Sequence, residues 1–339
     1  MSLLVTGSGG FVGINVLETL LAQGHDVVAL NKQPLAATVD VALARHPGRL
    51  SVVTGDVRDR RLLAEAIARH RVRRILHAAA ITLAPNSTIA TATDALDVNT
   101  VSTAVLLEEA RRAGIERFVY PSSGSVYGNA AFDPEPITER LSPAPATLYG
   151  FTKLASERLV AEAARAFGLS TATARITAVF GPWEHDTGLR ETLSPPFQIA
   201  AAMASGRNLV LAEKGERDWT LSADVARALA LLLTADRLPH DLYNLSLGET
   251  WNARLLAEAL APRFPGVQIA TMPVPQGDGA IAYHDDLSRS RRPMHADRFR
   301  QDFDFRFMTP VEAVAYYADW IGQRGHRFFD LQEKEGNEG

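Results

Sequence analysis

A glycine-rich turn near the N-terminus, TGSGGFVG at residues 6–13, constrains the fold of this chain more than any other feature. A short apolar run at residues 2–5 precedes it, and residues 14–22, which follow it, carry apolar side chains at helical spacing. The order strand, glycine-rich turn, helix is typical of the loop that holds a dinucleotide pyrophosphate, because the glycines let backbone N–H groups approach the anion. The predicted cofactor contacts in this turn are Gly7, Gly9, Gly10, Phe11, Val12 and Gly13.

Short apolar segments alternate with helical patterns through the first half of the chain. Strands are expected at residues 2–5, 26–30, 50–56, 74–77, 118–120 and 170–175, with long helices at 99–113 and 148–167. Such strands separated by helices indicate a parallel sheet that is covered on both faces. The predicted fold class is therefore α/β, a Rossmann-type doubly wound parallel sheet whose ligand lies beyond the carboxyl ends of the strands.

The pattern changes after about residue 181, where prolines bracket a loop and shorter elements follow. Helices are expected at residues 223–235 and 251–264, and a strand at 241–245. We interpret residues 1–180 as the dinucleotide-binding domain. Residues 181–330 are interpreted mainly as a smaller C-terminal substrate lobe, with later segments returning to the sheet domain. Residues 331–339 are polar, and we expect a disordered tail there.

Composition excludes several classes of protein. The chain has 339 residues, no cysteine and a formal net charge of −4, so disulfides, thiolate nucleophiles and Cys-ligated zinc are excluded. Charges of both signs are mixed, which argues against nucleic-acid binding, and no apolar run approaches the ~20 residues of a membrane span. The N-terminus lacks the cationic flank of a signal peptide, so we expect a cytoplasmic protein. From the composition we also expect no nucleic-acid partner, no membrane partner and no metal ion.

The end of the second predicted strand bears on the choice between NAD and NADP. A carboxylate there would favour NAD, but this chain has Asn31 and Lys32. Asn31 can bond ribose hydroxyls, and Lys32 is either an attractor for a 2′-phosphate or a solvated surface lysine, so both cofactors stay open. Asp56, followed by Val57, is placed to reach the adenine, or else it forms a turn or helix cap.

Tyr149 and Lys153 lie four residues apart in a helical pattern, so they share one helix face. An ammonium beside a phenol favours the tyrosinate. We predict that Tyr149 takes a proton from a substrate hydroxyl while a hydride leaves the same carbon, and that Lys153 also holds the cofactor's ribose. The same spacing also occurs in ordinary half-exposed pairs of helix residues.

A serine-rich segment, YPSSGSVYG at residues 120–128, follows the fifth predicted strand, which places its hydroxyls at the carboxyl edge of the sheet. We predict that Ser123 bonds the reacting oxygen beside Tyr149, and that Ser122 and Ser125 contact substrate. Serine- and glycine-rich turns are also common without any function. No serine has His and Asp partners at triad spacing, so a hydrolase is disfavoured.

Further segments add to these patterns: Gly55-Asp56, His77-Ala78-Ala79-Ala80, Asp97-Val98-Asn99, Phe180-Gly181-Pro182 and Arg217-Asp218-Trp219. Together with the glycine-rich turn, the serine segment and YGFTK at residues 149–153, they resemble the extended short-chain dehydrogenase/reductase family. The likeness is to its NAD-dependent epimerase/dehydratase group, which includes UDP-glucose 4-epimerase, and it covers roughly residues 2–260. It implies a cofactor-binding sheet domain, NAD or NADP, and a small-molecule carbohydrate substrate.

The resemblance also implies roles for individual residues. Ser123, Tyr149 and Lys153 match the catalytic hydroxyl, the acid/base and the lysine of the family. The positions that match cofactor-lining residues are Ala78, Ala79, Ala80, Asn99 and Ile176. The family often pairs two long helices across a homodimer, and residues 99–113 and 148–167 match those helices.

Other matches concern the substrate. Thr177 matches a residue near the nicotinamide, and Arg217 matches an arginine that grips the diphosphate of nucleotide sugars, although a surface ion-pair residue is the alternative. Arg190 lies in a polar loop at residues 183–196, where it can pair with a substrate anion or belong to a surface loop. The basic run at residues 289–292 can also meet an anion, but a solvated charge run is more common.

Two departures from the family pattern bear on the reaction. The dehydratases carry an Asp-Glu pair after the catalytic hydroxyl, whereas this chain has Gly124 and Ser125, so dehydration is disfavoured. Many nucleotide-sugar epimerases carry a phosphate-binding Asn where this chain has Ala178. An alanine side chain cannot bond a phosphate, which makes a free sugar, sugar acid or lactone an open alternative.

We therefore predict an NAD(P)-dependent sugar epimerase that works by hydride transfer through a keto intermediate. A net dehydrogenase or reductase of a free sugar, sugar acid or lactone shares the first chemical step and is the alternative. A third hypothesis is a regulator that senses NAD(P) without catalysis, but such a protein would not need Ser123, Tyr149 and Lys153.

Overall fold

A computed structural model describes residues 2–82, 89–186, 193–283, 287, 289 and 291–324. Its strands are β1 (Ser2–Thr6), β2 (Asp26–Asn31), β3 (Leu50–Thr54), β4 (Val72–His77), β5 (Arg117–Ser123), β6 (Ser170–Ile176), β7 (Ala178–Phe180), β8 (Leu209–Ala212), β9 (Trp219–Leu221), β10 (Leu242–Leu245) and β11 (Ile269–Met272). Its α-helices are α1 (Phe11–Ala22), α2 (Ala37–Leu43), α3 (Arg60–Arg69), α4 (Ile89–Leu96), α5 (Ser102–Arg112), α6 (Leu148–Phe167), α7 (Pro195–Ala204), α8 (Ser222–Thr234), α9 (Arg254–Leu260), α10 (Asp297–Phe303) and α11 (Pro310–Arg324). Irregular helical turns occupy Asp97–Val101, Gly124–Phe132 and Ala261–Arg263.

Seven strands form one sheet in the order β10-β6-β5-β4-β1-β2-β3. All neighbouring strands in this sheet run parallel. The chain moves outward from β1 through β2 to β3 and then returns to β4 on the other side of β1. This reversal creates a crevice at the carboxyl ends of β1 and β4, where a doubly wound sheet binds its ligand. The predicted Rossmann-type fold is confirmed.

The hydrophobic core lies on both faces of this sheet. Along β1, Leu3 and Val5 pack into one cluster of buried side chains and Leu4 into another, and all three are fully buried. Helices cover both faces, so the strands carry continuous apolar runs instead of alternating ones. The predicted helical face of α1 is buried through Val16, Leu17, Leu20 and Leu21.

Strand β5 runs further than the sequence predicted, from Arg117 to Ser123 instead of residues 118–120. Pro121 interrupts the apolar pattern because it has no N–H to donate. The strand tolerates this proline because it pairs with β4 only up to Val119, while its pairing with β6 continues to Ser123. The strand end therefore carries the serines directly to the crevice.

Elements after residue 181 add to the main sheet and its covering helices, and they also form two small sheets. Helix α8 packs against α1, and β10 adds to the edge of the main sheet beside β6. Strands β8 and β11 pair in a small parallel sheet, and β7 pairs with β9. The helix predicted at residues 251–264 is shorter than expected, because only Arg254–Leu260 is α-helical and a 3₁₀ turn with Pro262 follows. The predicted tail at 331–339 lies outside the described residues.

Within the described part of the chain, no helix is long and apolar enough to cross a membrane. The same residues contain no cluster of three or more His, Asp or Glu side chains that could hold a metal ion.

Candidate active site

The glycine-rich turn is closely packed against its neighbours. Gly7 has a φ of +65°, and a methyl group added to it would lie 2.5 Å from the backbone nitrogen of Ala79. A methyl group on Gly13 would collide with the carbonyl oxygen of Gly7, and one on Gly9 would collide with the Asn31 side chain. Gly7 and Gly13 therefore require glycine because backbone atoms fill the space, whereas the Asn31 side chain would have to move for a methyl group on Gly9. The turn lies directly against the ends of β2 and β4.

The N-terminus of α1 follows this turn. Gly10 is its N-cap residue, and no side chain among the described residues caps the helix there. The Ser8 hydroxyl is buried without a hydrogen-bond partner in the described chain, while Gly9, Gly10 and Val12 are partly exposed. An uncapped helix N-terminus beside a backbone cradle fits an anionic pyrophosphate, because N–H groups and the helix dipole both favour negative charge.

The predicted adenosine contacts lie at the ends of β2 and β3. Asn31 Nδ2 donates to the Gln33 carbonyl at 2.8 Å, and Lys32 is exposed. Asp56 accepts three hydrogen bonds from Arg58, at 2.9, 3.0 and 2.7 Å, and these bonds lower the pKa of its carboxyl group. Asp56 thus forms the turn that was its alternative interpretation. The cap of α3 is instead Asp59.

Asn99 fixes the segment that follows β4. It lies in the π-helical turn Asp97–Val101 and is 1% exposed. Its Oδ1 accepts from the Ile81 N–H at 2.7 Å, and its Nδ2 donates to the Ile81 carbonyl and the Thr152 hydroxyl, each at 3.0 Å. These bonds tie Ile81 to Thr152 of α6 and use both ends of the Asn99 amide. The three residues before Ile81, which are Ala78, Ala79 and Ala80, are partly exposed.

Tyr149 and Lys153 occupy the first turns of α6, whose N-cap Thr147 accepts a hydrogen bond from Gly150 at 3.1 Å. Lys153 Nζ lies 5.8 Å from the centre of the Tyr149 ring and donates to the Pro121 carbonyl at 2.8 Å. Lys153 is 3% exposed, and burial lowers the pKa of its ammonium to about 8. The structure therefore brings the predicted phenol and ammonium together.

Ser123 ends β5 opposite Ile176 of β6. Its Oγ accepts from the Ser125 N–H at 3.2 Å, which orients the hydroxyl at the carboxyl edge of the sheet. The first turn of α6 lies against this segment, because a methyl group on Gly150 would be 2.6 Å from the Ser125 carbonyl oxygen. The serine segment and the Tyr149 turn are therefore neighbours.

Ser122 differs from its neighbours because its side chain faces the protein interior. It is 4% exposed and donates to Glu157 Oε1 at 2.6 Å. Glu157 also forms a buried ion pair with Arg175 of β6 at 2.7 Å. This placement argues against the substrate contact that the sequence predicted for Ser122. The sequence analysis missed the ion pair, although Glu157 follows Lys153 by one helical turn and Arg175 interrupts an apolar strand.

The predicted substrate residues after β6 are held by backbone contacts. Thr177 Oγ1 donates to the Asp218 carbonyl at 2.9 Å, so its hydroxyl is bonded within the chain. Arg217 pairs with the backbone of Trp251 at 3.1 and 3.0 Å, and its guanidinium lies 5.4 Å from the Trp219 ring centre. Arg190 lies outside the described residues.

Gly124 and Ser125 follow β5 and lie close to the C-terminal segment that contains Met294. The Ser125 hydroxyl is buried without a hydrogen-bond partner among the described residues. A methyl group on Gly124 would lie 2.7 Å from Met294 Sδ, so the Met294 side chain occupies the space of a side chain at position 124. At the outer side, Arg289 and Arg291 lie over the Phe132 ring at 3.8 and 5.2 Å.

The family model, the related sequences and the solved structures that match this chain all point to the same family. The model of the NAD dependent epimerase/dehydratase family matches residues 3–246. The dTDP-glucose 4,6-dehydratase of Escherichia coli is 30% identical over an alignment of 352 positions, gaps included, which covers 95% of this chain and 90% of that protein. The UDP-glucose 4-epimerase of Corynebacterium glutamicum is 27% identical over 269 residues, with 76% and 79% covered. The Thermus thermophilus UDP-glucose 4-epimerase, solved in complex with NAD, superposes with a TM-score of 0.74 at 25% identity and covers 94% of this chain and 98% of that one.

Proposed function

We propose that this chain, which belongs to the NAD-dependent epimerase/dehydratase family, binds NAD or NADP and epimerises a sugar through a keto intermediate. The observation that carries this proposal is the pairing of Tyr149 with the buried ammonium of Lys153 beside Ser123, at the crevice that the glycine-rich turn borders. The resemblance noted from sequence motifs agrees with this family.

The residues present fit a dinucleotide. The turn at residues 7–13 would hold the pyrophosphate at the start of α1. Asn31, Lys32, Asp56 and Val57 would border the adenosine, and Ala78, Ala79, Ala80, Ile176 and Lys153 would border the nicotinamide riboside. Lys32 and Arg58 place positive charge beside Asp56, so NADP remains a candidate together with NAD, the dinucleotide in the Thermus thermophilus structure.

The chain's own residues handle the proton. The Lys153 ammonium stabilises the tyrosinate form of Tyr149, which can then take a proton from a sugar hydroxyl. Ser123 donates a hydrogen bond to the oxygen that becomes a carbonyl. When bound, the nicotinamide supplies a reversible acceptor for the hydride from the same carbon. Once the keto sugar has turned its other face, the hydride would return to the same carbon from that side. Tyr149 would then return the proton to the oxygen, and an epimer results.

Dehydration is disfavoured in this proposal. The Escherichia coli relative is a dehydratase, so membership of the family leaves the reaction open. Elimination of water requires an acid and a base near the keto sugar, and this chain has Gly124 and Ser125 at the corresponding positions. Met294 Sδ also occupies the space that an acidic side chain at position 124 would need.

A second candidate is a net dehydrogenase of a free sugar, sugar acid or lactone. Ala178, at the start of β7, favours it, because a methyl group offers no hydrogen bond to a substrate phosphate. In that case the keto product leaves and reduced cofactor accumulates. Residues 181–330 would supply most substrate contacts in either reaction.

We also propose a homodimer that pairs α5 and α6 of each copy. Val101 and Phe151, which lie on or next to these helices, are 50% and 57% exposed, so large apolar side chains there are open to a second copy. Sedimentation velocity tests this, and a monomer at micromolar concentration would contradict it.

A substrate panel of nucleotide sugars, free sugars and sugar acids, each with NAD and with NADP, tests the proposed reaction. An epimerase yields the epimer without net change in nicotinamide absorbance, whereas a dehydrogenase accumulates reduced cofactor. We expect Tyr149→Phe to lower turnover by about 10²–10⁴-fold, since it removes the proton-transfer group. Unchanged turnover in Tyr149→Phe would contradict the mechanism.

A further inference from the structure

The Lys153 ammonium is buried, so its positive charge needs stabilising contacts within the protein. The side chain is 3% exposed, and removal from water lowers the pKa of the ammonium to about 8. The ammonium donates a hydrogen bond to a neutral carbonyl, that of Pro121 at 2.8 Å. A lysine that must remain charged near neutral pH in such a place needs further electrostatic support.

The residue before Pro121 offers that support. Lys153 Nζ lies over the ring of Tyr120, 4.7 Å from its centre, which is closer than its 5.8 Å distance to the Tyr149 ring. Tyr120 is 1% exposed, so water does not screen this contact. An ammonium over the face of an aromatic ring is attracted by the ring quadrupole, and the attraction is strongest when both groups are desolvated.

Among the described residues, other ionisable groups besides Tyr149 also lie around Lys153. On α6, Glu157 raises the pKa of Lys153, although this carboxylate is already paired with Arg175 of β6. On β4, His77 is fully buried between the Thr6 and Thr103 hydroxyls, and burial lowers its pKa to about 3, so it is neutral. Burial also raises the pKa of Tyr120, which therefore keeps its proton.

We propose that Tyr120 is a positioning residue whose ring holds the Lys153 side chain as an ammonium beside Tyr149. This inference rests on the proposed function only for the role of Tyr149. Two consecutive residues of β5 then contact the lysine. Tyr120 does so through the face of its ring, and Pro121 does so through its carbonyl oxygen. The aromatic ring, and not the hydroxyl, is the part of Tyr120 that matters.

The test uses the full chain without cofactor or substrate. Tyrosinate formation is followed by ultraviolet absorbance against pH, and the component that disappears in Tyr149→Phe is assigned to Tyr149. In Tyr120→Leu the ammonium loses its support, and the pKa of Lys153 falls by about one unit. Lys153 is then neutral at a lower pH, so Tyr149 ionises at a higher pH than in the wild type.

Matched variants separate the ring's charge effect from packing. Tyr120→Phe keeps the ring and should keep the wild-type titration of Tyr149. Phe118→Leu removes a ring from the same strand and the same core cluster and should also leave the titration unchanged. In a Lys153→Met background, Tyr120→Leu should have no further effect, because no ammonium remains to support.

Several results would overturn the proposal. One is a Tyr120→Leu protein that is folded by circular dichroism and titrates like the wild type. Another is an equal shift in the Lys153→Met background, which would indicate packing alone. If Tyr120→Leu does not fold, Tyr120→Met fills the space with a flexible side chain and carries the same expectations. A titration that Tyr149→Phe leaves unaltered would refute the role of Tyr149 and this inference with it, whereas failure to find a sugar substrate would leave the titration result standing.

Discussion

At the scale of single residues, a buried ion pair directly behind the candidate active site organises three elements. Glu157 of α6 and Arg175 of β6 are 7% and 3% exposed and are joined by two further hydrogen bonds, at 3.0 and 3.3 Å. Ser122 of β5 donates to the same carboxylate, and Arg175 lies 4.8 Å from the Tyr127 ring centre. The pair therefore fixes α6, and with it Lys153 and Tyr149, against the strands that carry Ser123.

Removing one member of this pair should be costly. Arg175→Met leaves the Glu157 carboxylate buried without its cation, and we expect the free energy of unfolding to fall by about 3–5 kcal/mol in urea denaturation. The double variant Arg175→Met/Glu157→Leu should recover part of the loss, because neither charge of the pair is then left buried without the other. As a control, Arg165→Ala breaks an exposed pair with Glu162 on the same helix and should change stability little. A single Arg175→Met variant as stable as the wild type would show that the pair is not structurally important.

At the scale of elements, the turn between β1 and α1 does two things at once. It reverses the chain beside β4, which requires the positive φ of Gly7, and it leaves the N-terminus of α1 without a side-chain cap from the described residues. Helix α1 is held in place at its other side by Asn15, whose Nδ2 donates to the Pro182 carbonyl at 2.8 Å and whose Oδ1 accepts from Ser222 at 3.0 Å. The helix start is thus fixed where an anion can bind.

Gly13→Ala tests this turn. The added methyl group would meet the Gly7 carbonyl oxygen and would lie 2.8 Å from the Ser8 Cα, both of them backbone atoms, so the cradle must shift. We expect affinity for NAD or NADP to fall at least about tenfold in isothermal titration calorimetry, equivalent to about 1.4 kcal/mol. Gly266→Ala is the control, because a methyl group there meets nothing within 4 Å. Equal affinities for the two variants would contradict the assigned role of the turn.

At the scale of the whole molecule, Asp218 links segments that are distant in the sequence. It is 4% exposed, and its Oδ2 accepts from Ser246 Oγ at 2.7 Å and from the Met294 N–H at 2.8 Å. Met294 also pairs with Ile137 in an isolated bridge, so this carboxyl group holds the Met294 backbone where it meets Ile137. Sequence analysis noted Asp218 only as part of a family motif.

The buried carboxyl group of Asp218 predicts that the stability of the protein depends on pH. Burial raises the pKa of Asp218 from 3.8 to about 6. Between these values the folded protein holds a proton at Asp218 that the unfolded chain has released, so this group's contribution to stability falls as pH rises. The fall is at most about 3 kcal/mol, since one pKa unit corresponds to about 1.4 kcal/mol.

Asp218→Asn removes this titration while keeping hydrogen-bonding capacity. The free energies of unfolding of the wild type and of Asp218→Asn are compared by urea denaturation at several pH values from about 4 to 7. As pH rises toward the folded-state pKa of Asp218, the difference between the two proteins should shift in favour of the Asp218→Asn variant, and above that pKa it should level off. A difference that stays constant across this range would show that Asp218 does not titrate as the structure indicates. The comparison between the two proteins cancels the contributions of other acidic groups.

The sequence by itself determined the fold class and most of the candidate site. Hydrophobic periodicity and glycine spacing are local, so they placed the turn at residues 7–13, the strands and α6 close to where they lie. The four-residue spacing from Tyr149 to Lys153 fixed their common helix face for the same reason. Element ends were less well predicted, as β5 shows, because its last residues depend on which neighbour strand continues beside them.

Only the tertiary structure decided which distant residues meet. The Tyr120 ring under Lys153, the pairing of Glu157 with Arg175, and the contact of Met294 with Gly124 join elements that no local pattern relates. It also turned Ser122 inward while its neighbour Ser123 reaches the sheet edge, since successive side chains of a strand point to opposite faces. Local patterns specify elements, but the packing of those elements decides which charges are buried together, and that burial sets the chemistry of the site.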